Sequence, residues 1–290
     1  MSQIEMFTLA DTAVSFILPP QLLKWVGNKQ RFAPEIAKII PDYSRYFEPF
    51  VGTGAVLGAL NPRIAVAGDT LKPLIDLWRT LQQKPEDLVG EYARMWHASE
   101  KDRQGVYEDI RSKFNREPDP FSLLFLSRSC YGGVVRFTKD GKISTPIGPH
   151  NLIPPESFRR RAFLWRDRVK NARFLHADFE ETMALAKSGD VIYCDPPYVF
   201  CQSILYGSQA FSLKRLWGVI EQCLARDVKV LLSIDGSKKS GKVQLDLDIP
   251  DGLFKRHLMV RCGRSMLRRF QKKGQTLEGE FVEDRLLLSW

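Results

Sequence analysis

Asp190-Val191-Ile192-Tyr193-Cys194-Asp195-Pro196-Pro197-Tyr198 joins a buried-strand pattern to a rigid turn. The run from Val191 to Cys194 has the β-branched and aromatic content of a strand covered on both faces. The tetrapeptide Asp195-Pro196-Pro197-Tyr198 follows where that strand would end, and in an open α/β sheet ligands bind beyond the carboxyl ends of the strands. Two consecutive prolines fix φ and remove two N–H donors, so the Asp195 carboxylate and the Pro196 carbonyl stand as bare acceptors. Such a pair suits an amino group with two hydrogens to donate, and Tyr198 adds a flat π face for a planar ring. By itself the tetrapeptide is equally well read as a turn, because Asp and Pro are ordinary turn residues.

A second segment, Phe47-Glu48-Pro49-Phe50-Val51-Gly52-Thr53-Gly54-Ala55-Val56-Leu57-Gly58, favours the ligand reading. Arg45-Tyr46-Phe47 reads as a strand end, the glycines permit a tight turn close to a ligand, and Ala55 to Leu60 opens a helix. Ile64 to Asp69 is then a second strand ending in an acid, the position from which a carboxylate accepts hydrogen bonds from a ribose. The loop lacks the Lys-Ser/Thr pair of a phosphate-gripping loop, so a nucleoside without phosphates fits it better.

Further strand-like runs occur near Arg173 to His176, Val228 to Ile234, Phe254 to Cys262 and Arg285 to Trp290, with helices such as Leu213 to Ala225 between them. This alternation predicts an α/β protein with a mainly parallel sheet. Between the second and third strands lie roughly a hundred residues, too many for a connection. They read as largely helical from Leu77 to Phe114, helical again from Phe121 to Ser127, and loop or hairpin from Gly132 to Pro155. The expected organisation is an α/β domain of residues 1–76 and 173–290 with an inserted, mostly helical domain of residues 77–172.

Two more segments complete the pattern: Leu23-Lys24-Trp25-Val26-Gly27-Asn28-Lys29, and Arg128-Ser129-Cys130-Tyr131-Gly132-Gly133-Val134-Val135-Arg136-Phe137 followed by Gly141 and Pro146-Ile147-Gly148. In content and order the four segments resemble the Dam-type DNA adenine-N6 methyltransferases, the D12 class or alpha group. The resemblance implies a Rossmann-like, S-adenosyl-L-methionine (AdoMet)-dependent methyltransferase fold, with a seven-stranded sheet ending in an antiparallel hairpin. The insert would be a target-recognition domain, and double-stranded DNA the partner. The reaction implied is methyl transfer to N6 of an adenine flipped out of the duplex.

The resemblance also assigns residues. Asp195, Pro196, Pro197 and Tyr198 would be catalytic, with Asp195 and the Pro196 carbonyl accepting both N6 hydrogens and Tyr198 holding the ring. AdoMet would lie against Phe50, Gly52 and Gly54, with Trp25 and Lys29 closing its methionine end and Lys29 either holding its carboxylate or pairing with Glu48. Asp69 would take the ribose, and the Asp178-Phe179 step the adenine; Asp195 would also border the cofactor. Arg128, Tyr131, Gly132, Arg136 and Pro146 would contact DNA, Arg136 as a guanine reader. Where the family usually has Tyr-Asn-Gly the chain has Tyr131-Gly132-Gly133, which leaves the target sequence open. Restriction-modification is the implied setting, with a companion restriction endonuclease as a possible partner. The alternatives are a cytosine-N4 or RNA-amine methyltransferase, or a non-catalytic DNA-binding regulator.

Composition agrees with a polyanionic partner: 43 Lys and Arg against 34 Asp and Glu give a net charge of +9. Residues 159–173 carry seven basic residues and a single acid, Asp167, and residues 255–273 carry eight with none, which favours phosphate contact. Five scattered cysteines without a Cys-x-x-Cys pair suit a reducing compartment. Four dispersed histidines argue against a metal site. The short apolar run Val14 to Leu18 has no positive flank and nothing reaches membrane-spanning length, so a cytoplasmic protein without a membrane partner is expected.

Overall fold

The structure, a computed structural model, describes residues 4–6, 18–197, 211–238, 243–244, 248–264 and 281–290. The first part of the chain alternates strands and short helices: β1 (Ile4–Met6), α1 (Ala33–Ile39), β2 (Tyr46–Glu48), α2 (Ala55–Leu60) and β3 (Ala65–Asp69). Four helices follow, α3 (Lys72–Gln83), α4 (Pro85–Lys101), α5 (Arg103–Arg116) and α6 (Pro120–Ser129), then a 3-10 turn at Tyr131–Gly133 and α7 (Pro155–Val169). Alternation resumes with β4 (Ala172–His176), α8 (Phe179–Ala184), β5 (Val191–Cys194), α9 (Leu213–Ala225) and β6 (Lys229–Lys238). The last strands are β7 (Val243–Gln244), β8 (Arg256–Arg264) and β9 (Phe281–Leu288).

Seven strands form the expected sheet in the order β8-β9-β6-β5-β2-β3-β4, and two short ones extend it, β1 beside β8 and β7 on β6. Parallel pairing runs from β6 to β4, whereas β9 lies antiparallel to both β6 and β8. The period of two sends Tyr193, Leu231, Leu286 and Leu288 to one buried layer, and Phe47, Ile192, Cys194, Leu232 and Leu287 to the other. Helices α8 and α9 cover the second face. After β2 the chain first adds β3 on one side and later β5 on the other, so the crevice between β2 and β5 is the topological switch point.

The insert differs from expectation at its edge. The boundary at 76/77 falls inside α3, because this helix packs on β3 and β4 as an ordinary sheet-covering helix. The Arg79 guanidinium donates to the Phe174 carbonyl at 2.8 Å, and Gln82 Nε2 donates to the carbonyls of Val169 and Ala172. Trp78 stacks on Phe174 of β4 at 5.6 Å between ring centroids and meets Trp165 of α7 at 5.7 Å. A Cβ at Gly58 of α2 would come within 2.6 Å of the Trp165 ring, which is why that helix position carries glycine. The helices after α3 therefore share one core with the sheet.

Local chemistry explains the insert's helices. Asp119 accepts from the backbone N–H groups of Phe121 and Ser122 and caps α6, with Pro120 at its first position. The loop after α6 folds back as expected, held by bridges pairing Cys130 with Ile147 and Phe137 with Ile143.

Candidate active site

At the carboxyl ends of β2, β3 and β5 lies a cavity of about 200 Å³. Its floor is the glycine turn, where Gly52 and Gly54 adopt left-handed φ values of 46° and 60°. Three bonds fix the turn: Asp69 Oδ2 accepts from Gly52 N at 3.2 Å, Asp69 Oδ1 from Leu71 N at 3.0 Å, and Gly52 O from the Trp78 indole at 3.0 Å. Burial pushes the Asp69 carboxyl up, and these backbone donors work against that rise. Asp69 thus shapes the loop while presenting a carboxylate to the cavity.

One wall is aromatic. Phe50 and Phe179 stack at 5.3 Å, and Phe211 meets both edge-on at 5.8 and 5.9 Å. Asp178 caps α8 by accepting from Glu180 N at 3.0 Å, and its Oδ1 also takes a 3.0 Å bond from Arg215, whose guanidinium lies over the Phe179 ring.

The opposite wall is a buried charge cluster. Lys29, 6% exposed, donates to Asp195 Oδ1 at 2.8 Å and to the Gly27 carbonyl at 3.1 Å, and its Nζ lies 3.6 Å from Asp284 Oδ2. Burial works against the Lys29 ammonium, but Asp195 and Asp284, with Tyr193, outweigh it and hold its pKa above the ordinary range. Burial also raises Asp195, and with Lys29 pulling down and Asp284 pushing up it titrates at about 6. Glu48 is not the partner of Lys29. It accepts from Tyr46 Oη at 2.7 Å, and burial, reinforced by the Asp195 charge, pushes it to about 8, so it holds its proton at neutral pH.

This arrangement pairs a nucleoside-sized cleft with a rigid acid. The sequence profile of the D12 class N6 adenine-specific DNA methyltransferases matches residues 25–248. The chain belongs to this family. It is 32% identical to a DNA adenine methylase of Vibrio cholerae over 180 residues, 61% of this chain and 64% of that protein. A DNA adenine methylase of Escherichia coli K12 is 28% identical over 222 residues, 73% of this chain and 79% of that protein. The chain thus spans a little under two thirds of the Vibrio relative's length.

Most of the residues that the D12 resemblance assigned to the cofactor side come together. Trp25, Lys29, Glu48, Phe50, Gly52 and Asp69 line the cavity, as do Asp178, Phe179, Asp195, Pro196 and Pro197. Gly54 lies behind the lining, where a Cβ would press to 3.3 Å of the Trp78 ring. Tyr198 lies outside the described residues.

The DNA side needs one correction. Arg128 is only 4% exposed, and its guanidinium donates to the carbonyls of Gln21 and Leu22, so it ties α6 to the segment before the site instead of facing a duplex. Burial accordingly lowers its pKa. Tyr131, Gly132, Arg136 and Pro146 do share one loop: Tyr131 N donates to the Pro146 carbonyl at 2.8 Å, and Arg136 N to Thr145 Oγ1 at 2.9 Å. The stretch 159–173 is less acid-free in space than along the chain, since Arg159 is paired with Glu86 of α4 at 2.6 Å. Of residues 255–273, those from 265 onward lie outside the described residues.

Sequence reading missed Tyr46, Tyr193, Phe211 and Asp284. The first two sat in recognised strands, but only the pleat shows that Tyr193 lines the cavity and that Tyr46 bonds its lining residue Glu48. Phe211 and Asp284 carry no local signal at all. Among the described residues no group of three or more His, Cys, Asp or Glu is placed to hold a metal ion, and no helix is long and apolar enough to cross a membrane.

Proposed function

We propose that the chain transfers a methyl group from AdoMet to N6 of an adenine flipped out of double-stranded DNA. The observation that carries this reading is the Asp195-Pro196-Pro197 turn at the end of β5, opening into the same cavity as the glycine turn and Asp69. The name shared by the Vibrio and Escherichia relatives, DNA adenine methylase, supports it.

The cavity fits AdoMet in kind. Left-handed Gly52 leaves the floor without a side chain, Asp69 offers a carboxylate suited to ribose hydroxyls, and Phe50 with Phe179 offers an apolar face for a purine. Asp178 would take the purine amine, and the Trp25 and Lys29 side chains would border the methionine end. When bound, AdoMet supplies an already activated methyl group.

What remains for the protein is orientation and charge. The amine of adenine is a poor nucleophile while its lone pair is delocalised into the ring. Asp195 and the Pro196 carbonyl, accepting both hydrogens, draw the nitrogen toward tetrahedral geometry. The Asp195 charge also stabilises the positive charge that grows on nitrogen, a preorganised electrostatic effect. Tyr198, next in the chain, holds the ring. Extrusion from the duplex is required because a stacked, paired amine cannot reach Asp195. The insert serves as the target-recognition domain, its loop bearing Tyr131, Gly132, Arg136 and Pro146 reading or gripping the duplex.

Sequencing of genomic DNA from a methylation-free bacterial host that expresses the chain tests the reading. N6-methyladenine within one motif is expected and would also reveal the target; N4-methylcytosine, or no mark, would overturn it.

A further inference from the structure

Two carboxylates share the Lys29 ammonium, and only one belongs to the Asp-Pro-Pro turn. The other, Asp284, is 6% exposed and comes from β9, where it lies opposite Asp235 of β6 and Val260 of β8. A single buried pair of Lys29 and Asp195 would be neutral, with Asp195 Oδ1 committed to the ammonium at 2.8 Å. Adding Asp284 at 3.6 Å from the same ammonium gives the cluster, among the described side chains, one cation and two anions. Burying an uncompensated charge is unfavourable, so a tie whose purpose was only structural would be better served by one carboxylate.

We propose that Asp284 is a positioning residue for methyl transfer, sharing the Lys29 ammonium so that the Asp195 carboxylate facing the target amine is not fully neutralised by it. The inference rests on the methyltransferase reading above. In a low-dielectric site an unbalanced carboxylate acts strongly on a nitrogen that becomes cationic. Among the described side chains, those beside the cluster do not supply the same charge. Glu48 on β2 keeps its proton at neutral pH and is bonded to Tyr46, and Tyr193 on β5 is a phenol. Asp284 also pushes the Asp195 titration upward, in the direction expected of a second anion close by.

The test compares wild type, Asp284→Asn and Asp284→Glu in two measurements. In protein carrying 13C-labelled aspartate carboxyls, with the Asp195 signal assigned by its loss in Asp195→Asn, the Asp195 titration should move to lower pH in Asp284→Asn and return in Asp284→Glu. In single-turnover methyl transfer, the plateau rate of Asp284→Asn should fall roughly tenfold or more, with DNA and AdoMet affinities unchanged and the rate restored in Asp284→Glu. An unmoved Asp195 titration, or a lower melting temperature with an unchanged rate, would overturn the proposal. The titration needs no turnover, so if wild type methylates no DNA the methyltransferase reading fails while the coupling of Asp284 to Asp195 is still decided.

Discussion

The strand-end crevice and the helical insert carry motifs of similar length, yet the crevice gathers most of its motif residues around one cavity, whereas the insert buries Arg128 and keeps the others on a loop. In the crevice the backbone dictates direction: prolines after β5, left-handed Gly52 after β2 and an acid at the end of β3 all border one cavity. In the insert the motif begins on a helix whose surroundings decide what each side chain does, and Arg128 turns inward. A motif is a reliable guide to geometry when its residues constrain φ and ψ, and a weaker one when they are long side chains on a helix.

The sharpest way to break this contrast is Asp195→Ala. Methyl transfer should fall roughly a thousandfold or more in a protein whose thermal unfolding is otherwise preserved, and retained turnover would remove the crevice from the chemistry. Next in size is Arg128→Ala, expected to lose about 2–4 kcal/mol of stability in urea unfolding because buried carbonyls lose their donor. If it altered sequence choice and left stability intact, the inward assignment would be wrong. Arg136→Ala should do the opposite, weakening discrimination between target and mismatched duplexes by about 1–3 kcal/mol with little change in stability. An equal loss on all duplexes would make it a phosphate contact. The smallest effect belongs to Gly54→Ala, where a left-handed φ of 60° and the nearby Trp78 ring predict about 1–2 kcal/mol of strain. Calorimetric AdoMet affinity should drop with it.

The same contrast explains how much could be read in advance. Val191 to Cys194 and Leu213 to Ala225 were legible to the residue, because a fully buried strand and an amphipathic helix announce themselves by pattern. β1 was not, since three residues at a sheet edge carry too little pattern and owe their pairing to β8. β9 was read as starting at Arg285 because Glu283-Asp284-Arg285 hides the alternation, and Asp284 went unnoticed with it. Its role depends on an antiparallel return that brings the end of the chain beside Lys29, and no local rule encodes that. Glu86 likewise reaches Arg159 only through the packing of α4 on α7.

Trp78 bears on how such a protein can be recombined. Its indole N–H closes the glycine turn, while its ring is packed between β4 and α7. A chimera that exchanged residues 77–172 would replace this tryptophan with whatever the donor supplied and loosen the glycine turn as well. A graft confined to residues 130–148 would leave the indole in place. On the proposed function, exchange of that loop, not wholesale transplantation of the helices beneath it, is the route to a new target preference.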